Sequence, residues 1–375
     1  MSENRTDARS PGRRAVLVSS PDAGNAIRAE RLVEQLARVG ITIEQNLQVS
    51  ELDHASPQGR LWHDQGYDLA IAAGGDGTVG SVATQLIGSD VPLAILPMGT
   101  ANDVARSLYV PLAVEDACVA IAGAVPVAID VGQVIPGLIE PGAYTAEHRG
   151  VTLAGGPSPL AGVCFLHAMT LGLNVEFARL ATDSQRRQRL GSLTYAASAL
   201  EAVTRYHPID VTLRVFGLEG EDEDAEQVIH SQAVQVSIVN TPVFGGRMGM
   251  RLPDISLQDR QLDFLMIEAI DAQQLRRTVE QLLAALGGVS ARQDQASDSE
   301  PGAQAPHLPG VRRFRARAAI LETAGAVDVT LDGEIRTHTP AFVRVAQHQL
   351  RVLVSPQTKY LLMRDESPDD AGPAH

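Results

Sequence analysis

Lysine is almost absent from this chain. Lys359 is the only one in 375 residues, so positive charge rests on arginine, and a phosphate loop of the G-x-x-x-x-G-K-[ST] type is excluded. Cysteine is scarce as well. Cys118 and Cys164 are too few for a disulfide framework and fit a reducing compartment. No apolar run reaches the roughly 18 residues that a membrane helix needs, and the polar start MSENRTDARSPGRR lacks the apolar core of a signal peptide. A net charge of −14 argues against a broad nucleic-acid surface, and against anionic membranes except through a local basic patch. The ten histidines show no zinc-ligand spacing. His54, His167 and Trp62 read as packing or core-filling residues. The expectation is a soluble cytoplasmic protein, long enough for two domains at roughly 100 to 200 residues each.

What is present changes texture part-way along. Up to ANDVARSLY, strand-length apolar runs (RRAVLVS, ITIEQNLQV, YDLAIAA, VPLAILP) alternate with helical stretches. AIRAERLVEQLARVG carries Ile27, Leu32, Val33, Leu36 and Val39 at helical spacing and ends on Gly40, a C-terminal cap. HASPQGRLWHDQG reads as a turn and a helix, and VGSVATQLIG as a further helix. Such alternation predicts a parallel α/β sheet covered on both faces. Past Val127 the runs VPVAIDVGQVI, GVCFLHAMTLGL, IDVTLRVFGL, QAVQVSIVN, QLDFLMIEAI, RFRARAAILET, AVDVTLDGE and AFVRVAQHQLRVLV are strand-like. They predict a β-rich domain of antiparallel sheets packed face to face. Helices at SLTYAASALEAVTRY and AQQLRRTVEQLLAAL interrupt it. The expected division is a disordered 1–13, an α/β domain 14–130, a β-rich domain 131–356, and a C-terminal segment with disordered tail 357–375. Irregular inserts fall at 135–160 and 289–310, and LEGEDEDAEQ at 218–227 reads as a solvated hairpin tip.

The stretch DLAIAAGGDGTVGSV satisfies G-x-G-x-x-G through Gly75, Gly77 and Gly80. Its context is not that of a dinucleotide fold, because the next strand runs into Pro97-Met98-Gly99 rather than to an acid for the ribose. A second polar turn, PMGTAND, follows one strand later with Gly99, Thr100, Asn102 and Asp103. Adjacent strand-to-helix turns in a parallel sheet open at its carboxyl edge, where ligands bind. Each brings backbone N–H groups and a helix N-terminus there, which favours phosphate. Gly74, Gly75 and Gly77 remove the β-carbons that would hold a polyphosphate away. Thr78 and Thr100 either cap their helices or donate to a phosphate oxygen. Asp76 makes sense at such a place if a divalent cation intervenes. Each turn taken alone is equally well a plain helix cap.

At this point a resemblance appears. GGDGTVGSV and LPMGTANDVARSL resemble the two signature segments of the diacylglycerol kinase catalytic domain. That superfamily also takes in sphingosine and ceramide kinases and, more distantly, NAD kinases and phosphofructokinases. SSPDAGN resembles its first nucleotide loop, with Ser20-Pro21 where Asn-Pro is usual. SELDHA resembles the segment whose leading Ser or Thr contacts nucleotide, here Ser50. RRQRLGSLTYAASAL resembles the start of its basic helix, RLPDISLQDRQLDFLMI its PDASLDDGLLD segment, and LDGE the segment of its catalytic carboxylate. Gly80-Ser81 stand where bacterial members usually carry Asn-Glu, and Arg260 replaces the glycine of Asp-Asp-Gly.

The resemblance implies the NAD kinase/diacylglycerol kinase fold and an ATP- and Mg²⁺-dependent lipid kinase. It implies that Gly74, Gly75, Asp76, Gly77, Thr78, Val79 and Gly80, with Gly99, Thr100 and Asn102, surround the ATP phosphates. Ser20, Pro21, Asp22, Ala23, Gly24 and Ser50 would close the nucleotide side. Asp76 would be a ligand of the catalytic Mg²⁺, with Asp103 a weaker candidate. Glu334 would be the general base and Asp332 its support, although DGE by itself reads as a hairpin turn. A second, structural Mg²⁺ would be held by Asp259 and the main-chain oxygens of Ser256 and Gln261. The nucleotide would lie between the domains. The partner implied is a lipid at a membrane surface, met peripherally at the inner leaflet, with a homodimer as in bacterial relatives. Arg186, Arg187 and Arg189 would meet anionic head groups or simply solvate a helix start. Arg312, Arg313, Arg315 and Arg317 read as one face of a strand. A kinase of a soluble hydroxyl compound and a non-catalytic nucleotide-binding regulator remain the alternatives.

Overall fold

The computed structural model describes residues 12–20, 29–53, 57–137, 162–173, 175, 207–222, 225–244, 250–252, 254–269 and 310–364. His54, Arg186, Arg187, Arg189, the two helices expected after Arg189 and after Ala269, and most of both inserts lie outside them. So do residues 1–11 of the expected disordered start, whose Arg13 instead opens the first strand, and the tail after Arg364. Two compact units are formed, one from within Met1–Ile129 with Leu350–Arg364, the other from within Asp130–Gln349.

Unit 1 is built on a six-stranded sheet. Its members are β1 (Arg13–Ser19), β2 (Ile41–Gln48), β3 (Leu69–Gly74), β4 (Leu93–Pro97), β5 (Val125–Ile129) and β18 (Leu350–Val354), in the order β2-β1-β3-β4-β18-β5. Every pairing is parallel except that of β18 with β5. Ala15–Val18, Leu69–Ala73 and Leu93–Leu96 are buried without interruption, as strands covered on both faces must be. Leu32 and Leu36 of α1 (Ala29–Arg38) and Ala117, Cys118 and Ile121 of α5 (Val114–Ala122) share one cluster with Leu17, Ile71, Ala94 and Leu96. Gly40, in the left-handed region at φ 82, ends α1 as expected, its N–H donating to Ala37 O at 3.1 Å. Helix α2 (Gly59–Asp64) buries Trp62, and α3 (Asp76–Leu86) is buried from Thr78 onward. A short α4 (Asp103–Ser107) follows β4.

Unit 2 is antiparallel. Its large sheet runs β16-β15-β8-β10-β13-β14-β17-β6-β7, with β9 bonded to both β10 and β14. The strands are β6 (Gly132–Pro136), β7 (Val163–Phe165), β8 (Ala168–Gly172), β9 (Ile209–Leu218), β10 (Glu226–Val239), β13 (Leu262–Glu268), β14 (Val311–Thr323), β15 (Asp328–Leu331), β16 (Glu334–His338) and β17 (Ala341–Val345). A small pair, β11 (Val243–Phe244) with β12 (Met250–Arg251), stands apart. The expected separate sheets are one hydrogen-bonded sheet instead. The reason is strand length. β10 gives its first half to β9 and its second to β8 and β13, while β14 gives its first half to β13 and its second to β9 and β17. The ring β9-β10-β13-β14 thereby closes around a core that includes Val215, Val236, Phe264 and Ala319. Of the acidic run at 218–227, residues 219–222 and Ala225 lie between β9 and β10, with Gly220 at φ 85, while 223 and 224 lie outside the described residues.

Two apolar runs read as single strands are each divided. VPVAIDVGQVI breaks at Asp130 into β5 and β6, and AFVRVAQHQLRVLV breaks at Gln347–Gln349 into β17 and β18. In each case the first and second halves belong to different sheets. The boundary expected at 356 is therefore misplaced, since β18 completes the sheet of unit 1. Its burial, with Leu350, Val352, Leu353 and Val354 inside and only Arg351 exposed, gives no clue from sequence as to which sheet it joins.

Candidate functional site

In unit 1 the two polar turns interlock. β3 ends on Gly74, where an added Cβ would stand 2.4 Å from Thr78 Oγ1, so the missing side chain lets the first helical turn fold back on the strand. Gly75 precedes α3 in an extended conformation, at φ −88. A Cβ on Gly99 would stand 2.4 Å from Gly75 Cα, so the turns touch backbone on backbone, and no other residue fits at that approach. Met98 N donates to Gly74 O at 2.9 Å.

The second turn is closed by its own asparagine. Asn102 sits at φ 54, a region that Asn tolerates better than most residues. Its Oδ1 accepts from Gly99 N and its Nδ2 donates to Gly99 O, both at 2.9 Å. Asp76 then joins the turns, since its Oδ1 accepts from Val104 N at 3.0 Å. The acid of the first turn thus satisfies an amide at the head of the helix that follows the second.

This geometry sorts the expected nucleotide residues. Gly75, Asp76 and Gly77 are partly exposed at the turn, and Thr100 is exposed. Thr78, Val79 and Gly80 are buried within α3, so the exposed part of the turn is shorter than the motif suggests. Asn102 and Asp103 are buried as well; Asn102 is a turn-maker with both amide atoms committed. Ser20 is half-buried at the end of β1, its N–H donating to Ala73 O at 3.3 Å. Ser50 is exposed in a single 3₁₀ turn, Val49–Glu51. Pro21, Asp22, Ala23 and Gly24 lie outside the described residues. Among the described residues no three of His, Cys, Asp and Glu stand together as a metal cluster. Asp76, half-exposed at the head of a phosphate-type turn, fits an ion that arrives with a polyphosphate rather than a resident one.

In unit 2 Asp332 and Glu334 part company. Asp332 and Gly333, at φ 49 and 86, make the tight turn between β15 and β16. The Asp332 carboxylate turns inward onto the bend between β7 and β8. Oδ2 accepts from Leu166 N at 3.0 Å, and Oδ1 from His167 N at 2.8 Å and Ala168 N at 3.1 Å. Glu334 is exposed and pairs with Arg336, Oε2 to Nη2 at 2.6 Å. It stands on an edge strand, free of the sheet interior.

The turn expected to hold the structural ion reads differently. Asp259 Oδ1 accepts from Gln261 N at 3.0 Å, and Oδ2 faces Arg315 Nη1 at 3.6 Å. Burial pushes the Asp259 carboxyl up to about 6, against the pull of the Gln261 amide and Arg315. Burial likewise raises Asp263, opposed by Arg313. Gln261 Oε1 is buried without a partner, but it is a side-chain oxygen, not the main-chain one implied by the resemblance. The turn offers a dication one carboxylate already shared with an amide and facing a guanidinium, and that donor set does not fit a resident Mg²⁺.

Three residues with evident roles were not singled out from sequence. Asp130, fully buried, receives Arg260 N at 2.6 Å. Asn240 Nδ2 donates to Asp130 O and Leu166 O, both at 2.9 Å. Arg336 is the partner of Glu334. The first two carried a signal, a lone polar residue within (Asp130) or at the end of (Asn240) an apolar run; Arg336 carried none. His167, expected as a filler, is buried and bonded through Nδ1 to Thr241 Oγ1 at 2.8 Å.

Comparison with known proteins agrees with the two-unit reading. Residues 14–134 match the diacylglycerol kinase catalytic domain, and residues 168–295 match the YegS C-terminal NAD kinase beta sandwich-like domain. A Synechocystis protein, sll0036, is 25% identical over 320 residues, 84% of this chain and 61% of its own length. An Escherichia coli protein bearing the name probable lipid kinase YegS is 51% identical over 74 residues, 18% of this chain and 24% of its own. The chain thus spans less than two thirds of the length of these relatives. The crystal structure of a diacylglycerol kinase from Bacillus anthracis covers 93% of this chain and 100% of its own, with TM-score 0.56 at 17% identity. A second structure from that organism reaches TM-score 0.63 at 20% identity, over 95% and 100%. At these identities the structures speak for the fold.

Proposed function

Because this chain belongs to the diacylglycerol kinase catalytic-domain family, we propose that it transfers the γ-phosphoryl group of ATP to a hydroxyl of diacylglycerol or a related lipid alcohol. The observation that supports this most is the interlock of the turns through Gly75, Gly99, Asp76 and Val104. Phosphoryl transfer asks the protein for positioning and charge neutralisation more than for covalent chemistry. A backbone-lined turn at the head of an eleven-residue helix meets the first need, since its N–H groups and dipole favour phosphate.

Gly75 and Gly77 let the phosphates approach the main chain, with Thr100, Ser20 and Ser50 as further contacts. Asp76, anchored through Oδ1, would hold the Mg²⁺ that accompanies the nucleotide. That ion, when bound, neutralises charge on the phosphate oxygens. Glu334 takes the proton of the acceptor hydroxyl as its oxygen bonds to the γ-phosphorus and the bond to the bridging oxygen breaks, releasing ADP. Asp332 holds the turn that presents Glu334. The acceptor is met at a membrane surface, by a protein placed in the cytoplasm.

The test is transfer of label from γ-³²P ATP to a panel of lipid alcohols in mixed micelles, with and without Mg²⁺. Label in a lipid phosphate supports the reading. Folded protein that binds ATP yet labels no lipid overturns it, and label on a soluble hydroxyl compound without detergent moves the acceptor to another class.

A further inference from the structure

The turn Ser256–Gln261 of unit 2 lies at the point where the resemblance calls for a divalent ion, and it is crowded with arginine. We infer that guanidinium groups, above all that of Arg260, take the place of a structural divalent cation in this chain, so that unit 2 is built without one. The inference uses the family reading only for where such an ion would lie. It does not depend on catalysis.

Arg260 stands where the family has glycine, and its φ is 61. Glycine sits in that left-handed region without strain and arginine does not, so the backbone alone gives no reason for the residue. Its side chain supplies one. Asp130 has no exposed surface, and a buried carboxylate must be matched by charge and hydrogen bonds. Arg260 N donates to Asp130 Oδ2 at 2.6 Å and Nη1 to Oδ1 at 3.1 Å, while Nη2 reaches Ala346 O at 2.8 Å. Gln349 Nε2 completes the set on Oδ1 at 3.0 Å. One guanidinium thus ties the turn to the first residue of unit 2 and to its last segment, a cross-link of the kind a metal ion makes.

The neighbouring acids are matched too. Asp263 pairs with Arg313 at 2.7 Å, and Arg315 lies 2.9 Å from Glu219 and 3.6 Å from Asp259. Among the described residues, Asp130, Asp263, Glu219 and Asp259 each have a guanidinium partner. A dication placed on Asp259 would meet Arg315 at close range, and the carboxylates of Asp130, Asp263 and Glu219 are already matched by arginine.

The experiment follows thermal unfolding of the full chain, without nucleotide, in excess EDTA and in millimolar MgCl₂, for wild type and R260G. Metal content after gel filtration is measured in parallel. The wild-type Tm is expected to agree between the two buffers within about 1 °C, with far less than one equivalent of bound metal. R260G is expected to lose at least about 5 °C in EDTA, because Asp130 keeps a buried charge without its partner. R260K, which keeps the charge without the fork, should fall between, and it carries the test if R260G does not fold. A wild-type Tm that drops in EDTA and returns with Mg²⁺, one bound equivalent of metal, or variants that melt like wild type would each overturn the inference. None of these readouts involves phosphoryl transfer, so failure of the kinase reading would leave them unmoved.

Discussion

Asp332 holds three consecutive backbone amides, Leu166, His167 and Ala168, with one carboxylate. The acid two residues before the candidate base is therefore a structural clamp, and the two acids of LDGE divide the work. One fixes the bend between β7 and β8, and the other is left on an exposed edge.

Removing the clamp should cost stability before it costs chemistry. Hydrogen bonds to a charged acceptor are worth about 1.5 to 3 kcal/mol, so D332A is expected to lower the unfolding free energy by about 2 to 4 kcal/mol in urea titration. D332N tolerates φ 49 and keeps an acceptor oxygen, and should lose roughly half as much. Equal, negligible losses in both variants would show that the clamp does not hold the bend.

E334Q is expected to behave in the opposite way. Glu334 is exposed and, among the described residues, is ion-paired with Arg336, a surface pair worth about 0 to 1 kcal/mol. Stability should be unchanged, while kcat for lipid phosphorylation falls by about 10²- to 10⁴-fold with ATP affinity retained. Unchanged kcat would remove Glu334 from the role of base.

The contact of the two turns predicts a contrast among glycines. G99A puts a methyl group 2.4 Å from Gly75 Cα, so one turn must move, and ATP binding followed by fluorescence titration should weaken at least about tenfold. G123A meets nothing within 4 Å and should change stability by no more than about 0.5 kcal/mol. If G99A bound ATP like wild type, the interlock would have no part in holding phosphate.

Cys118 gives a pH prediction. Burial, with a smaller contribution from Glu115, pushes its thiol from 9.0 up to about 11. A raised pKa means that the folded state holds the proton more tightly. The associated stability is complete below pH 9 and is lost as pH rises through 11. Cys164 is buried too. At pH about 8 neither thiol should react with DTNB until denaturant is added, because the thiolate is the reacting species. Rapid labelling of native protein would contradict the burial of both.

The strands β1, β3 and β4 and the helix α1 were legible because burial on both faces and helical spacing write themselves into apolar runs. The turns were legible because glycines and an aspartate at strand ends have few other uses. What escaped was a matter of partners at long range. Nothing in VPVAIDVGQVI says that its halves join different sheets, because the break is one acid whose counter-ion lies at Arg260. Nothing in GGDGTV says that Thr78 turns inward or that Asp76 binds Val104 N, since both follow from how the second turn is seated. The family glycine replaced by Arg260 was visible, but its meaning needed Asp130 and Ala346 beside it.

The place of β18 has a consequence for synthesis. The strand that sits between β4 and β5 is Leu350–Val354, synthesised only after residues 130–349 of unit 2. The nascent first unit must wait with a gap in its sheet, and among the described residues β5 has no bonded strand until that last segment arrives. A chain cut before Leu350 would lack the insert's exit strand and leave β4 and β5 unjoined, so the first unit should be recovered only from a gene in which residues 350–364 follow Ile129 through a short turn of at least about two residues, since Leu350 and Ile129 face each other in the antiparallel pair.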